Sequence, residues 1–117
     1  MSNIKDDDDF IDKLIHVIKS NSIKQVEDII NNYSNAQNVD INKLNKDGNT
    51  AFMLAAQYST NVEIIQYLRN TFKDMIDLNK QDNNGRNTLM LTVKYNTNVE
   101  FIQYLCSNTL QHTIDIK

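Results

Sequence analysis

The chain repeats itself, and this constrains its fold more than any other feature. Sliding the sequence by 37 residues superposes its only two glycines, Gly48 and Gly85, and aligns 48–68 with 85–105 without a gap. Twelve of those 21 positions are identical, among them Met53/Met90, Tyr58/Tyr95 and the blocks Thr60-Asn61-Val62-Glu63 and Thr97-Asn98-Val99-Glu100. Ile65-Gln66-Tyr67-Leu68 recurs as Ile102-Gln103-Tyr104-Leu105. Self-similarity at a fixed period marks an array of one supersecondary unit, each burying its apolar face against its neighbours.

Within a unit the apolar spacing is helical. Val62, Ile65 and Leu68, then Val99, Ile102 and Leu105, recur every three residues. The first halves are shorter: Phe52, Leu54, Ala55 and Ala56 in one copy, Leu89, Leu91 and Val93 in the other. Helix is expected there, with strand as the alternative, because alanine favours helix. Ser59-Thr60-Asn61 and Asn96-Thr97-Asn98 are turn and N-cap side chains. Asp47-Gly48 and Asn84-Gly85 are tight-turn dipeptides, glycine supplying the positive φ. A degenerate third copy lies upstream, with Leu14, Val17 and Ile18, a break at Lys19-Ser20-Asn21-Ser22, then Ile23, Val26, Ile29 and Ile30. It lacks the turn glycine and begins with Asp6 to Asp9, read as solvated charges that complement the positive start of a helix beginning near Phe10. The connectors Val39-Asp40-Ile41-Asn42, Ile76-Asp77-Leu78-Asn79 and Ile114-Asp115-Ile116-Lys117 echo one another.

These residues resemble ankyrin repeats. Asp47-Gly48-Asn49-Thr50-Ala51-Phe52-Met53-Leu54-Ala55-Ala56 is similar to the family's Asp-Gly-x-Thr-Pro-Leu-His-x-Ala-Ala opening, Val62 to Leu68 to its second helix, and Asp40-Ile41-Asn42 and Asp77-Leu78-Asn79 to its Asp-Val-Asn connector. The family's proline is Ala51 and Thr88 here, its histidine is Met53 and Met90, and the glycine between the helices is missing. The connector is lengthened over Arg69 to Ile76, making the unit about four residues longer than the usual 33. The resemblance implies an all-α solenoid of stacked helix pairs with short hairpin-like tips. Its divisions are an acidic segment at 1–9, a divergent capping repeat at 10–46, and ankyrin-like repeats at 47–83 and 84–117.

Composition narrows the function. Twelve Lys+Arg against 15 Asp+Glu give a net charge of −3, the wrong balance for a nucleic-acid protein and too little charge for a disordered polyanion, while 40% hydrophobic residues suffice for a core. Lys43, Lys46, Lys80 and Arg86 leave only a small basic edge. No apolar run approaches the roughly 18 residues of a membrane span, and the single cysteine fits a reducing compartment. A cytoplasmic protein is expected. The 18 asparagines and 14 isoleucines suit an AT-rich genome, such as that of a microbe or a large DNA virus.

Nothing marks a reaction centre. Cys106 and His112 are six residues apart without a third ligand, and His16 lies far away in sequence. Cys106 is read as a packed thiol. Two isolated glycines build no phosphate loop. No cofactor, metal, catalytic residue or small-molecule substrate is expected.

The resemblance instead implies a protein-binding surface made of the turn tips and the inner faces of the first helices. Carried over position by position, this is Leu44, Lys46, Asp47, Asn49, Gln57 and Tyr58 in the middle unit, and Gln81, Asn83, Asn84, Arg86, Lys94 and Tyr95 in the next. Tyr58 and Tyr95 would form an aromatic strip flanked by Arg86 and Lys94, residue types enriched at interface hot spots; the alternative is helix-end packing. Phe101, Ile102 and Leu105 suggest an apolar end through which the chain self-associates or continues a longer array.

Overall fold

The computed structural model describes residues 4–59, 61–96 and 98–109. Among the described residues six helices follow one another: α1 Asp7–Lys19, α2 Ile23–Asn32, α3 Ala51–Tyr58, α4 Val62–Phe72, α5 Thr88–Tyr95 and α6 Val99–Thr109. Two short 3-10 turns, Ala36–Asn38 and Lys73–Met75, lie in the connectors, and there is no strand among the described residues. Both first halves of the duplicated unit are therefore helical.

Every helix start among the described residues is closed by an Asp, Ser, Thr or Asn side chain, Asn61 and Asn98 from the expected breaks among them. Thr50 and Asn87 accept from the Met53 and Met90 amides at 3.1 and 3.0 Å, while Asn61 and Asn98 accept from Glu63 and Glu100 at 2.9 and 3.0 Å. Each satisfies one of the amides a helix leaves unpaired at its N-terminus.

The odd helices form an inner row, α3 packing between α1 and α5; the even helices form an outer row, α4 between α2 and α6. The particle is elongated, 42 × 25 × 24 Å. Helix α3 explains the stacking. Its first six residues, Ala51 to Ala56, are all buried, since neighbours close both sides, and Ala51, Ala55 and Ala56 let those neighbours approach. In α5 the equivalents of the alanines are partly threonine. Thr92 is buried, and its hydroxyl donates to the Thr88 carbonyl at 2.8 Å, which removes the penalty of an unpaired hydroxyl. Phe10, Leu14, Ile18 and Val26 anchor the first repeat, and Ile64, Ile65, Leu68 and Phe72 the second.

Four expectations need correction. Helix α1 starts at Asp7, not near Phe10, because Asp6 is its N-cap, accepting from the Asp9 amide at 2.9 Å. The aspartates do complement the helix start, as its N-cap and first turn, but they are not merely solvated: Asp7 accepts from Tyr33 and Asn35, Asp8 pairs with Lys43, and Asp9 pairs with Lys13 at 2.9 Å. The extra residues after Leu68 do not lengthen a loop. They extend α4 by a turn through Phe72, which is 1% exposed, so apolar burial holds the added length as helix. Phe101 is fully buried and belongs to no exposed apolar end. The side chains of Leu105 and Cys106, and the whole of His112 and Ile114 to Lys117, lie outside the described residues, as do Thr60 and Thr97.

Candidate functional site

The turn tips are two copies of one hydrogen-bonded loop. In the first, the Asn45 amide donates to the Asn49 carbonyl at 2.8 Å and the Gly48 amide to the Asn45 carbonyl at 2.9 Å. In the second, Asp82 donates to Arg86 at 2.9 Å and Gly85 to Asp82 at 3.0 Å. The leading side chain gathers the loop: Asn45 Oδ1 accepts from the Asp47 and Asn49 amides, and Asp82 Oδ1 from Asn84 and Arg86. Gly48 and Gly85 have φ of +82° and +77°, a backbone that disfavours side chains. The tips also touch, since a Cβ on Gly48 would lie 2.0 Å from Asn83 Nδ2, whereas Gly85 faces open space.

The second tip is tied to its inner helix. The Arg86 guanidinium pairs with Asp82 Oδ2 through Nε and Nη2, both at 3.1 Å, and donates from Nη1 to the Tyr95 hydroxyl at 2.9 Å. Its carbon centre also lies 5.5 Å from the Tyr95 ring centroid, as does Lys94 Nζ. These contacts shift protonation. Burial pushes the Asp82 carboxyl up, but the Arg86 and Asn84 amides and the Arg86 guanidinium together hold it below the ordinary value. The hydrogen bond from Arg86 holds the Tyr95 phenol below its usual range.

Tyr58 and Tyr95 end α3 and α5 and are 55% and 42% exposed, although α3 is otherwise buried up to Gln57. They are not core residues. The cations around them differ, however. Arg86 and Lys94 both engage Tyr95, while the Tyr58 ring is covered by Lys19 Nζ at 5.8 Å, from the end of α1. Lys46, Asp47, Gln81, Asn83, Asn84 and Lys94 are exposed, and Leu44, Asn49, Gln57 and Arg86 are half-buried. Two adjoining clefts of about 290 and 280 Å³ run along α1 beside the first tip; they share Asp12, Asn45 and Lys46, and the second reaches His16 and Lys19.

Lys19, Asp12 and His16 thus join the inner surface without having been expected there. The first repeat has no tip glycine to align, and its register differs: the equivalent caps Ser22 and Asn61 are 39 residues apart rather than 37. Aligning helix ends instead of glycines would have paired Lys19 with Tyr58. Among the described residues no three His, Cys, Asp or Glu side chains are grouped to hold a metal, and no helix is long and apolar enough to cross a membrane.

Two rows of helices in register, capped alike and joined by hydrogen-bonded tips, define a helical repeat solenoid. The family model for ankyrin repeats (3 copies) matches residues 14–117, and the chain belongs to the ankyrin repeat family, whose repeats are protein–protein interaction modules. No curated protein matches the sequence. Among solved structures, a chain in the complex of the Bd0816 predatory endopeptidase from Bdellovibrio bacteriovorus with immunity protein Bd3460 is similar in fold, with a TM-score of 0.67 and 18% identity. The match covers 89% of this chain and 47% of that one, so this chain spans about half its length.

Proposed function

We propose that the protein is a non-catalytic, cytoplasmic binding adaptor that grips a protein partner along one edge, through its tips and the ends of its inner helices. The carrying observation is that Tyr58 and Tyr95, at equivalent places one repeat apart, stand exposed with cations over both rings. Tyrosine and arginine contribute disproportionately to interface energy. Lys46, Asp47, Asn49 and Gln57 around the first tip, and Gln81, Asn83, Asn84, Arg86 and Lys94 around the second, supply the polar rim. The repeat divisions at 10–46, 47–83 and 84–117 belong to this reading, with the first as an end unit. The similarity to a chain from an enzyme–immunity protein complex agrees with a protein partner and names none for this chain.

The test is an affinity pull-down with the double variant Tyr58→Ala/Tyr95→Ala, followed by circular dichroism. Loss of the partner with an unchanged spectrum supports the reading; undiminished capture refutes it.

A second reading, self-association at the far side of the third repeat, rests on Val93 and Val99. They are 63% and 65% exposed, whereas Ala56, the counterpart of Val93, is buried by the next repeat. Sedimentation equilibrium decides it, because a strict monomer at high concentration removes that reading.

A further inference from the structure

The outer row of helices carries a cleft unrelated to the tips. About 340 Å³ in volume, it lies between α2 and α4 and is lined by Ile23, Glu27, Glu63, Gln66, Tyr67 and Asn70. Two carboxylates, two side-chain amides and a phenol ring face it, and no cation lines it. Neither Glu27 nor Glu63 takes part in an ion pair among the described residues; Lys24, the nearby cation of α2, is paired with Asp28 on its own helix at 3.8 Å. Ile23 and Tyr67 are half-buried against the core, which gives the cleft an apolar floor and an aromatic wall.

The neighbouring outer helix pair, α4 and α6, carries a cation that this cleft lacks. Tyr104 is the repeat equivalent of Tyr67; burial pushes its phenol up, and the positive charge of Arg69 on α4 acts against that. The counterpart of Arg69 in the first repeat is Ile30, buried in the core, so the α2–α4 cleft has no cation of its own. Glu63, Gln66 and Tyr67 recur as Glu100, Gln103 and Tyr104, but the counterpart of Glu27 on α4 is Gln66, so the pair of carboxylates is particular to the α2–α4 cleft. Glu63 in the first turn of α4 also favours the helix dipole, but that role explains neither the amides nor the ring.

We propose that the α2–α4 cleft binds an arginine side chain of a protein segment lying across the outer helices, its guanidinium held between Glu27 and Glu63 and stacked on Tyr67. A planar, delocalised guanidinium suits paired carboxylates and an aromatic face, whereas an ammonium is a more strongly hydrated point charge. This surface lies apart from the tips and stands or falls independently of them.

The test is titration of the full chain at low salt, followed by backbone NMR, with the peptide acetyl-Gly-Arg-Gly-amide and its lysine and citrulline analogues. Saturable shifts are expected at Glu27, Glu63, Tyr67 and Asn70, with lysine binding several-fold weaker and neutral citrulline showing none. Glu27→Gln with Glu63→Gln should weaken the arginine peptide about tenfold, the loss of a charge-assisted pair. Tyr67→Leu serves as an independent variant that removes the stacking wall and should weaken binding several-fold. Shifts confined to the tips or to Asp6–Asp9, equal binding of lysine and arginine, or unweakened binding by both variants would overturn the assignment.

Discussion

Asn96, in the turn between α5 and α6, reaches back into the preceding repeat: its Nδ2 donates to the Ala56 carbonyl at 2.9 Å and to the Ser59 carbonyl at 2.8 Å. Ser59 holds the same place one repeat earlier, and its hydroxyl donates to Asn21 Oδ1 at 2.9 Å. The connectors carry a parallel link, where Asn42 donates from Nδ2 to the Met75 carbonyl and accepts at Oδ1 from the Asp77 amide, both at 2.7 Å. Polar staples at two levels thus fix the spacing that the alanines of α3 permit.

Asn96→Ala removes a buried donor and leaves two carbonyls short of a partner, a loss of about 1–3 kcal/mol. In a linear array such damage stays local. Hydrogen exchange should show α5 and α6 losing protection while α1 and α2 keep theirs; uniform loss would contradict the picture of nearest-neighbour stacking.

Gly48→Ala should cost more than Gly85→Ala. Both force a side chain into positive φ, worth about 1–2 kcal/mol, but only at position 48 does the new Cβ strike Asn83. Urea unfolding of both variants measures the difference, and adding Asn83→Ala to Gly48→Ala should recover the steric part.

Phe72→Ala should lower stability by about 3–5 kcal/mol, the range for emptying a buried aromatic site. A change under about 1 kcal/mol would mean that the added turn of α4 is an ornament, contrary to its burial.

The second tip should be acid-sensitive. Asp82 has a folded-state pKa below its ordinary 3.8, so its contribution is complete above that value and is lost as pH falls through the lower folded one. Asp82→Asn keeps an acceptor for the Asn84 and Arg86 amides, as Asn45 does in the first tip, and removes the charge. Acid titration of stability should therefore flatten below the ordinary aspartate range in that variant, and the neutral-pH fold should persist.

Much of this fold was legible from internal identity, for physical reasons. The repeated glycines mark positive-φ turns, and Asn61 and Asn98, in the polar breaks between paired helices, are caps seen in the structure. What escaped notice depended on tertiary context. A run of aspartates reads as solvated charge complementing a helix start, and only the structure shows Asp6 capping α1 and Asp7 and Asp8 bound to Tyr33, Asn35 and Lys43. Phe72 lies beyond the last identical residue pair, Leu68 and Leu105, so nothing in the alignment marked its burial. Among the site residues, the helix-end place of the two tyrosines fits an exposed strip and packing alike, and their exposure is seen only in the structure. Lys19 over Tyr58 was not legible either, because it comes from the divergent repeat and a shifted register.

The proposed binding edge is formed by the tips and the ends of α3 and α5. Its most direct test places a photo-crosslinking phenylalanine analogue at position 58, at position 95 and, for comparison, at the exposed Gln37 in a connector. Capture of one and the same protein from positions 58 and 95, competed away by unlabelled wild-type chain and absent from position 37, is the expected result. Capture from position 37 alone, or of unrelated proteins at 58 and 95 that the wild type fails to displace, would contradict it.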